Sequence, residues 1–92
     1  MTLDEFKVIG SPNGLTPLLQ ALWYDTNGDW ANAHQIVQEI NTQDAAWIHG
    51  YLHLKEGDKG NAHYWYQQAG RKLPTVSLSE EWQEMACHLL EK

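Results

Sequence analysis

The fold is decided by a seven-residue stretch that the chain carries twice: GDWANAH at residues 28–34 returns as GDKGNAH at residues 57–63. A glutamine follows four residues after each copy, at Gln38 and Gln67. The distance from Gly28 to Gly57 is 29 residues. Self-similarity at a period of about 20 to 50 residues is typical of stacked helical repeats. The repeat therefore predicts an architecture, and it names no function.

Cap and turn signals around the repeat predict where the helices begin. Pro17 suits a first helical position, Asp29 and Asp58 suit N-caps, and Ser77 with Glu80 makes a capping-box pattern. We expect an all-α, α-solenoid-like fold of two antiparallel helical hairpins with a C-terminal capping helix. Its predicted segments are an N-terminal arm at residues 1–15, a first hairpin at 16–40, a second hairpin at 42–72 and the capping helix at 77–91.

The chain is short, and its N-terminal segment is the hardest part to interpret. A chain of 92 residues supports one small core, so we expect a single domain. In residues 1–15 the apolar positions Leu3, Phe6, Val8 and Ile9 follow neither a helical nor a strand period. We therefore expect this segment to lie as an arm across the core.

Charge and cysteine content exclude several classes of function. Twelve acidic residues face six basic ones, and no basic run occurs, so nucleic acid and anionic membranes are not expected partners. Cys87 is the single cysteine, so an internal disulfide cannot form. No signal-peptide pattern and no stretch of about 18 apolar residues is present, which favours a cytoplasmic protein.

The second copy of the repeat resembles a known family. The segment AHYWYQQAG at residues 62–70 is similar to the second helix of Sel-one-like repeats, a subclass of the tetratricopeptide-like family. The small, aromatic and proline positions of such a repeat are matched by Gly50, Ala62, Tyr66, Ala69 and Pro74. The resemblance implies a scaffold that binds peptides or proteins and performs no chemistry. Since only two hairpins are predicted, stacking of the chain on a second copy is a further possibility.

Aromatic residues exceed what one apolar stripe per helix can bury. We expect Trp47, Tyr51, Tyr64 and Trp65 to line a groove for a peptide, a protein segment or a second copy, with Arg71 beside it. Tyr64 lies off the apolar stripe of its helix and is expected to be the most exposed of them. The alternative is that these rings simply fill the core of a small domain.

Two histidines carry the sharpest chemical hint. His49 and His53 are four residues apart on one predicted helix, so both imidazoles project from the same face, as two ligands of a metal ion must. A third ligand has to come from His63 or Glu56, and Gly50 stands where a zincin helix carries its glutamate. The alternative is that both histidines pack between helices, each hydrogen-bonded to a backbone carbonyl or a tyrosine.

No catalytic motif is present. Cys87 and His88 are adjacent on a predicted helix and therefore point about 100° apart, which does not suit a nucleophile and its base. The sequence favours a non-catalytic protein- or peptide-interaction module without a cofactor. The alternative is a protein that binds a metal or a small molecule around His49 and His53.

Overall fold

Six helices and no strand make up the chain in the computed structural model, which describes all of residues 1–92. The all-α prediction is confirmed. The helices are α1 (Leu3–Val8), α2 (Pro17–Thr26), α3 (Trp30–Gln38), α4 (Gln43–Lys55), α5 (Lys59–Gln68) and α6 (Leu78–Leu90).

The repeated stretch starts α3 and α5 in the same way. The Asp29 carboxylate accepts a hydrogen bond from the Asn32 backbone N–H (3.1 Å), and Asp58 accepts one from that of Asn61 (3.2 Å). Each asparagine amide also donates to its aspartate, at 2.6 and 2.7 Å. The glycine before each aspartate has a positive φ, 79° and 87°, which lets the preceding helix end in a tight turn. Each copy of the repeat therefore ends one helix with a glycine turn and caps the next helix with an aspartate.

The N-terminal segment contains a helix that the sequence analysis missed. Residues 3–8 form α1, although the apolar positions of this segment follow no clear helical period. Thr2 and Glu5 make a reciprocal capping box, at 2.8 and 3.2 Å. Phe6 then stacks on Trp82 with ring centroids 5.7 Å apart, which anchors α1 on α6.

The core is organised around α4. This helix contacts α2, α3, α5 and α6, and every residue from 45 to 53 is buried. The pairs α2 with α3 and α4 with α5 pack most extensively, while α6 lies against α1, α2 and α4. A helix that is buried on all sides can hold polar side chains only if they find partners inside the protein.

Helices α4 and α5 approach closely at Gly50. A methyl group built on Gly50 would lie 2.5 Å from Cδ2 of Tyr66 and 3.2 Å from the backbone oxygen of Ala62. Glycine is therefore the residue that lets the Tyr66 ring lie directly on the α4 backbone.

Candidate functional site

Three imidazoles meet where α3 packs on α4. His34 of α3 and His49 of α4 approach with their Nε2 atoms 3.0 Å apart, and His53 lies one turn further along α4. One ligand nitrogen from each of the three rings lies within 4.8 Å of the other two. His49 and His53 are buried, and His34 is half-buried. We call His34, His49 and His53 the three-histidine cluster.

Helix geometry produces this arrangement. The rings of His49 and His53 stack with centroids 5.0 Å apart and planes at 24°, as residues four apart on one helix face do. The His34 ring enters edge-on from α3, at 4.7 Å from His49 and 5.3 Å from His53. The cluster is thus built by two helices, one from each side of the interface.

Two tryptophans enclose the cluster. Trp30 stacks on His34 with centroids 4.7 Å apart and planes at 9°, and Trp65 stacks on His49 at 4.0 Å and 11°. The Trp30 indole N–H donates to the backbone oxygen of Leu52 at 2.8 Å, which fixes that ring against α4. These rings limit how far the imidazoles can swing, and they keep water away from two of their faces.

A carboxylate orients the third imidazole. Nδ1 of His53 lies 2.6 Å from Oε1 of Glu56, so the ring holds its Nδ1 proton toward the carboxylate and its Nε2 is free for a ligand. A carboxylate behind a histidine is the arrangement that positions ligands around protein-bound metals. Asp58 lies in the same neighbourhood and, with His53 and Glu56, makes a second close group of ligand atoms.

Burial keeps two of the imidazoles uncharged. Desolvation, together with repulsion from the charged forms of His34 and His53, lowers the pKa of His49 from 6.5 to about 4. Desolvation also lowers the pKa of His34, and the charge of His53 adds to the effect. Metal ligation needs neutral imidazoles, so these two rings are in the binding form at neutral pH.

The same burial makes the stability of the metal-free protein depend on pH. The pKa of His49 is about 4 in the folded chain and has its ordinary value of 6.5 in the unfolded chain. Between these two pH values the unfolded chain therefore binds more protons than the folded chain. We expect the free energy of unfolding to fall as pH drops from about 6.5 toward 4, and to be insensitive to His49 above 6.5. Urea unfolding in chelator across this range measures the slope. The variant His49→Gln should show a shallower slope, and an unchanged slope contradicts the assignment to His49.

The structure replaces one histidine of the sequence analysis with another. His49 and His53 share one face of α4, but His63 is exposed on α5 and is not part of the cluster. His34 takes the third place. It is the repeat-equivalent of His63, so the two look alike in sequence, and no sequence signal separates them. The predicted carbonyl and tyrosine partners are also wrong, because the partners are His34 for His49 and Glu56 for His53.

The aromatic residues predicted to line a groove do not share one accessible surface. Trp47 and Tyr51 are buried in the core. Trp65 is half-buried against His49, and Tyr64 is 51% exposed. Arg71 lies over the Trp47 ring, 3.3 Å from its centroid. Trp47 and Tyr51 are core residues and therefore cannot line a groove as the sequence analysis predicts.

Two buried carboxylates were missed by the sequence analysis. Asp25 is 3% exposed, accepts from the hydroxyl of Tyr51 at 3.3 Å and pairs with the Lys55 ammonium at 2.9 Å. Glu81 is buried as well. Both look like ordinary solvated acids of amphipathic helices, because sequence does not show which neighbouring helix covers them.

Searches of protein-family models, of curated proteins and of solved structures found no match to this chain. The likeness to tetratricopeptide-like repeats therefore stays a likeness of motif. None of the six helices combines the length and the apolar character that crossing a membrane requires.

Proposed function

We propose that this protein binds a transition-metal ion, with Zn²⁺ as the reference ion, through His34, His49 and His53. The observation that carries the proposal is the convergence of three imidazole nitrogens within 4.8 Å of one another. Zinc binds histidine nitrogens at about 2.0 to 2.1 Å in a tetrahedron, so its nitrogen ligands lie about 3.3 Å apart. The 3.0 Å separation of the His34 and His49 nitrogens is already close to that distance.

The partners of these histidines support a ligand role over simple packing. One hydrogen bond joins His34 to His49, and Nε2 of His53 makes none within the chain, so ring nitrogens of the cluster remain available to a ligand. A metal ion in the centre engages all three rings at once. Three nitrogen donors also leave a fourth position for water or another ligand, as in open zinc sites.

The ligands come from two helix pairs, which suggests what the ion does. We propose that α2 with α3 and α4 with α5 are two antiparallel hairpins of a tetratricopeptide-like scaffold, related by the 29-residue period. His34 belongs to the first pair, whereas His49 and His53 belong to the second. The ion therefore links one hairpin to the next and stabilises the folded chain.

The first experiment is native mass spectrometry of the purified protein, before and after chelation, followed by calorimetric titration with Zn²⁺. We expect one ion per chain, removed by the chelator and restored by added zinc, together with a higher melting temperature in zinc. A chain that stays metal-free in excess zinc overturns the proposal.

Glu56 provides a sharper test of the site. Replacing Glu56 with glutamine removes the charge behind His53 and should lower zinc affinity by about 10- to 100-fold. Glu39 is an exposed acid at the end of α3 and lies outside the cluster, so Glu39→Gln is the matched control. Competition with a zinc-sensitive dye measures both variants. Equal losses in the two point to a general charge effect and contradict a role for Glu56 behind His53.

The second candidate is the interaction module implied by the family resemblance, with no chemistry of its own. Exposed Tyr64 favours it, because a tyrosine ring at 51% exposure beside half-buried Trp65 is a common element of protein contacts. A second copy of the chain is the occupant that two hairpins predict. Sedimentation of wild-type protein and Tyr64→Ala tests it. A wild-type chain that is monomeric at all concentrations removes this candidate.

A further inference from the structure

Glu81 has a buried carboxylate of which only one oxygen accepts hydrogen bonds from the chain. The residue is 5% exposed, and its Oε2 accepts from the Trp47 indole at 2.9 Å and from the Tyr66 hydroxyl at 2.7 Å. Oε1 accepts no hydrogen bond within the chain, and it is not sealed from solvent. Glu81 also forms no ion pair with any base of the chain. A buried carboxylate without a cationic partner destabilises the folded protein, so a positively charged group bound at Oε1 would be stabilising.

Glu81 lines an open cavity of about 510 Å³ between α6 and the segment that joins it to α5. The walls are of three kinds: acidic, basic and apolar. They include Glu81, Glu84, Arg71, Lys72, Leu73 and Val76. Small-molecule sites in proteins occupy about 300 to 1,000 Å³, so this cavity has the size of a ligand site.

The basic residues of the wall are also without carboxylate partners. Arg71 rests on the face of Trp47 and pairs with no acid, and Lys72 pairs with none either. A guanidinium held by an aromatic face keeps its N–H groups available for a carboxylate. Leu73 and Val76 expose 38% and 45% of their surface at the same place. The cavity therefore offers an unpaired acid, unpaired bases and apolar surface together.

We infer that this cavity binds a free α-amino acid with an apolar side chain. The ammonium group donates to Oε1 of Glu81, the carboxylate accepts from Arg71, and the side chain lies on Leu73 and Val76. A simple cation leaves the bases unused, and a simple anion leaves Glu81 unpaired, whereas a zwitterion satisfies both. The site is separate from the three-histidine cluster and does not depend on metal binding.

The test uses three probes of equal shape: L-leucine, leucinamide, which lacks the carboxylate, and 4-methylpentanoate, which lacks the ammonium. Each is titrated into ¹⁵N-labelled protein. The indole N–H of Trp47 is the reporter, because it donates to Glu81. We expect leucine to shift this signal saturably and each analogue to bind about tenfold more weakly or worse. No shift with leucine at millimolar concentration overturns the inference, and so does equal binding of all three probes.

Arg71→Gln tests the carboxylate contact and leaves in place the hydrogen bonds of Trp47 and Tyr66 to Glu81, because Arg71 takes part in neither. We expect this variant to bind leucine about tenfold more weakly and leucinamide as well as the wild type does. Lys59→Gln, an exposed base at the start of α5, is the matched control and should change neither. Unchanged leucine affinity in Arg71→Gln, or an equal loss for leucine and leucinamide, overturns the assignment.

Discussion

Replacing Gly50 with alanine is expected to destabilise the protein by about 3 kcal/mol and to lower Tm by about 10 °C or more. The added methyl group meets the Tyr66 ring at 2.5 Å and the backbone oxygen of Ala62 at 3.2 Å. The Tyr66 ring is 1% exposed, and its hydroxyl donates to Glu81. Moving the ring away from Gly50 would disturb its packing and this hydrogen bond. Helix α5 must therefore move away from α4. Urea and thermal unfolding followed by circular dichroism measure the effect.

Gly60 supplies the matched control. It also lies in a helix, but a methyl group there meets nothing nearer than an Asp58 oxygen at 3.9 Å. Alanine is the better helix former, so Gly60→Ala should stabilise the chain by about 0.5 to 1 kcal/mol. Opposite signs for the two substitutions separate steric overlap from helix propensity. A Gly50→Ala protein as stable as the wild type contradicts the close approach of α4 and α5.

The second large effect concerns the repeat-equivalent histidines. We expect His34→Asn to lower zinc affinity by about 100-fold or more. Replacing a residue that only hydrogen-bonds to a metal ligand already lowers metal affinity by about 10- to 100-fold, and His34 is proposed to be a ligand itself. His63→Asn should bind zinc like the wild type, since His63 is exposed on α5. Calorimetry with zinc measures both. The pair tests the position of the cluster, because the two histidines have the same place in the repeat.

Cobalt gives an independent reading of the same site. Co²⁺ replaces Zn²⁺ in nitrogen sites, and its visible bands report the coordination geometry. The bands should persist in His63→Asn and disappear in His34→Asn. If both variants keep them, then His49 and His53 bind the ion without α3. If His63→Asn loses them, the ion is bound on the α5 side, and the cluster geometry is contradicted.

Local signals of the sequence were enough to predict the helical class and the starts of α2, α3, α5 and α6. Asp29, Asp58 and Ser77 were predicted as caps, and each accepts a hydrogen bond from a backbone N–H three residues on. These interactions span three residues, so sequence spacing contains them. Thr2 and Glu5 form the same kind of cap at the start of α1. This helix has only six residues, too few to show a helical period of apolar positions.

Long-range contacts were harder to predict. The pairing of His34 with His49 joins residues 15 apart, and the bond between Trp47 and Glu81 joins residues 34 apart. Such contacts depend on which helix faces meet, and an apolar period does not determine that. For this reason the sequence does not distinguish His34, which lies in the cluster, from the exposed His63. Trp47 is a second example. The surplus of aromatic residues predicts that it lines a groove, but it lies in the core.

The burial of α4 from residue 45 to residue 53 has a consequence for how the chain opens. In an extended repeat array each unit contacts only its neighbours, so the ends can unravel independently. Here one central helix touches four of the other five, and none of these contacts can break alone without exposing it. The amide hydrogens of residues 48–53 should therefore exchange with solvent only through global unfolding, at one common free energy. The protein then behaves as a single cooperative unit, although its sequence is written as a repeat.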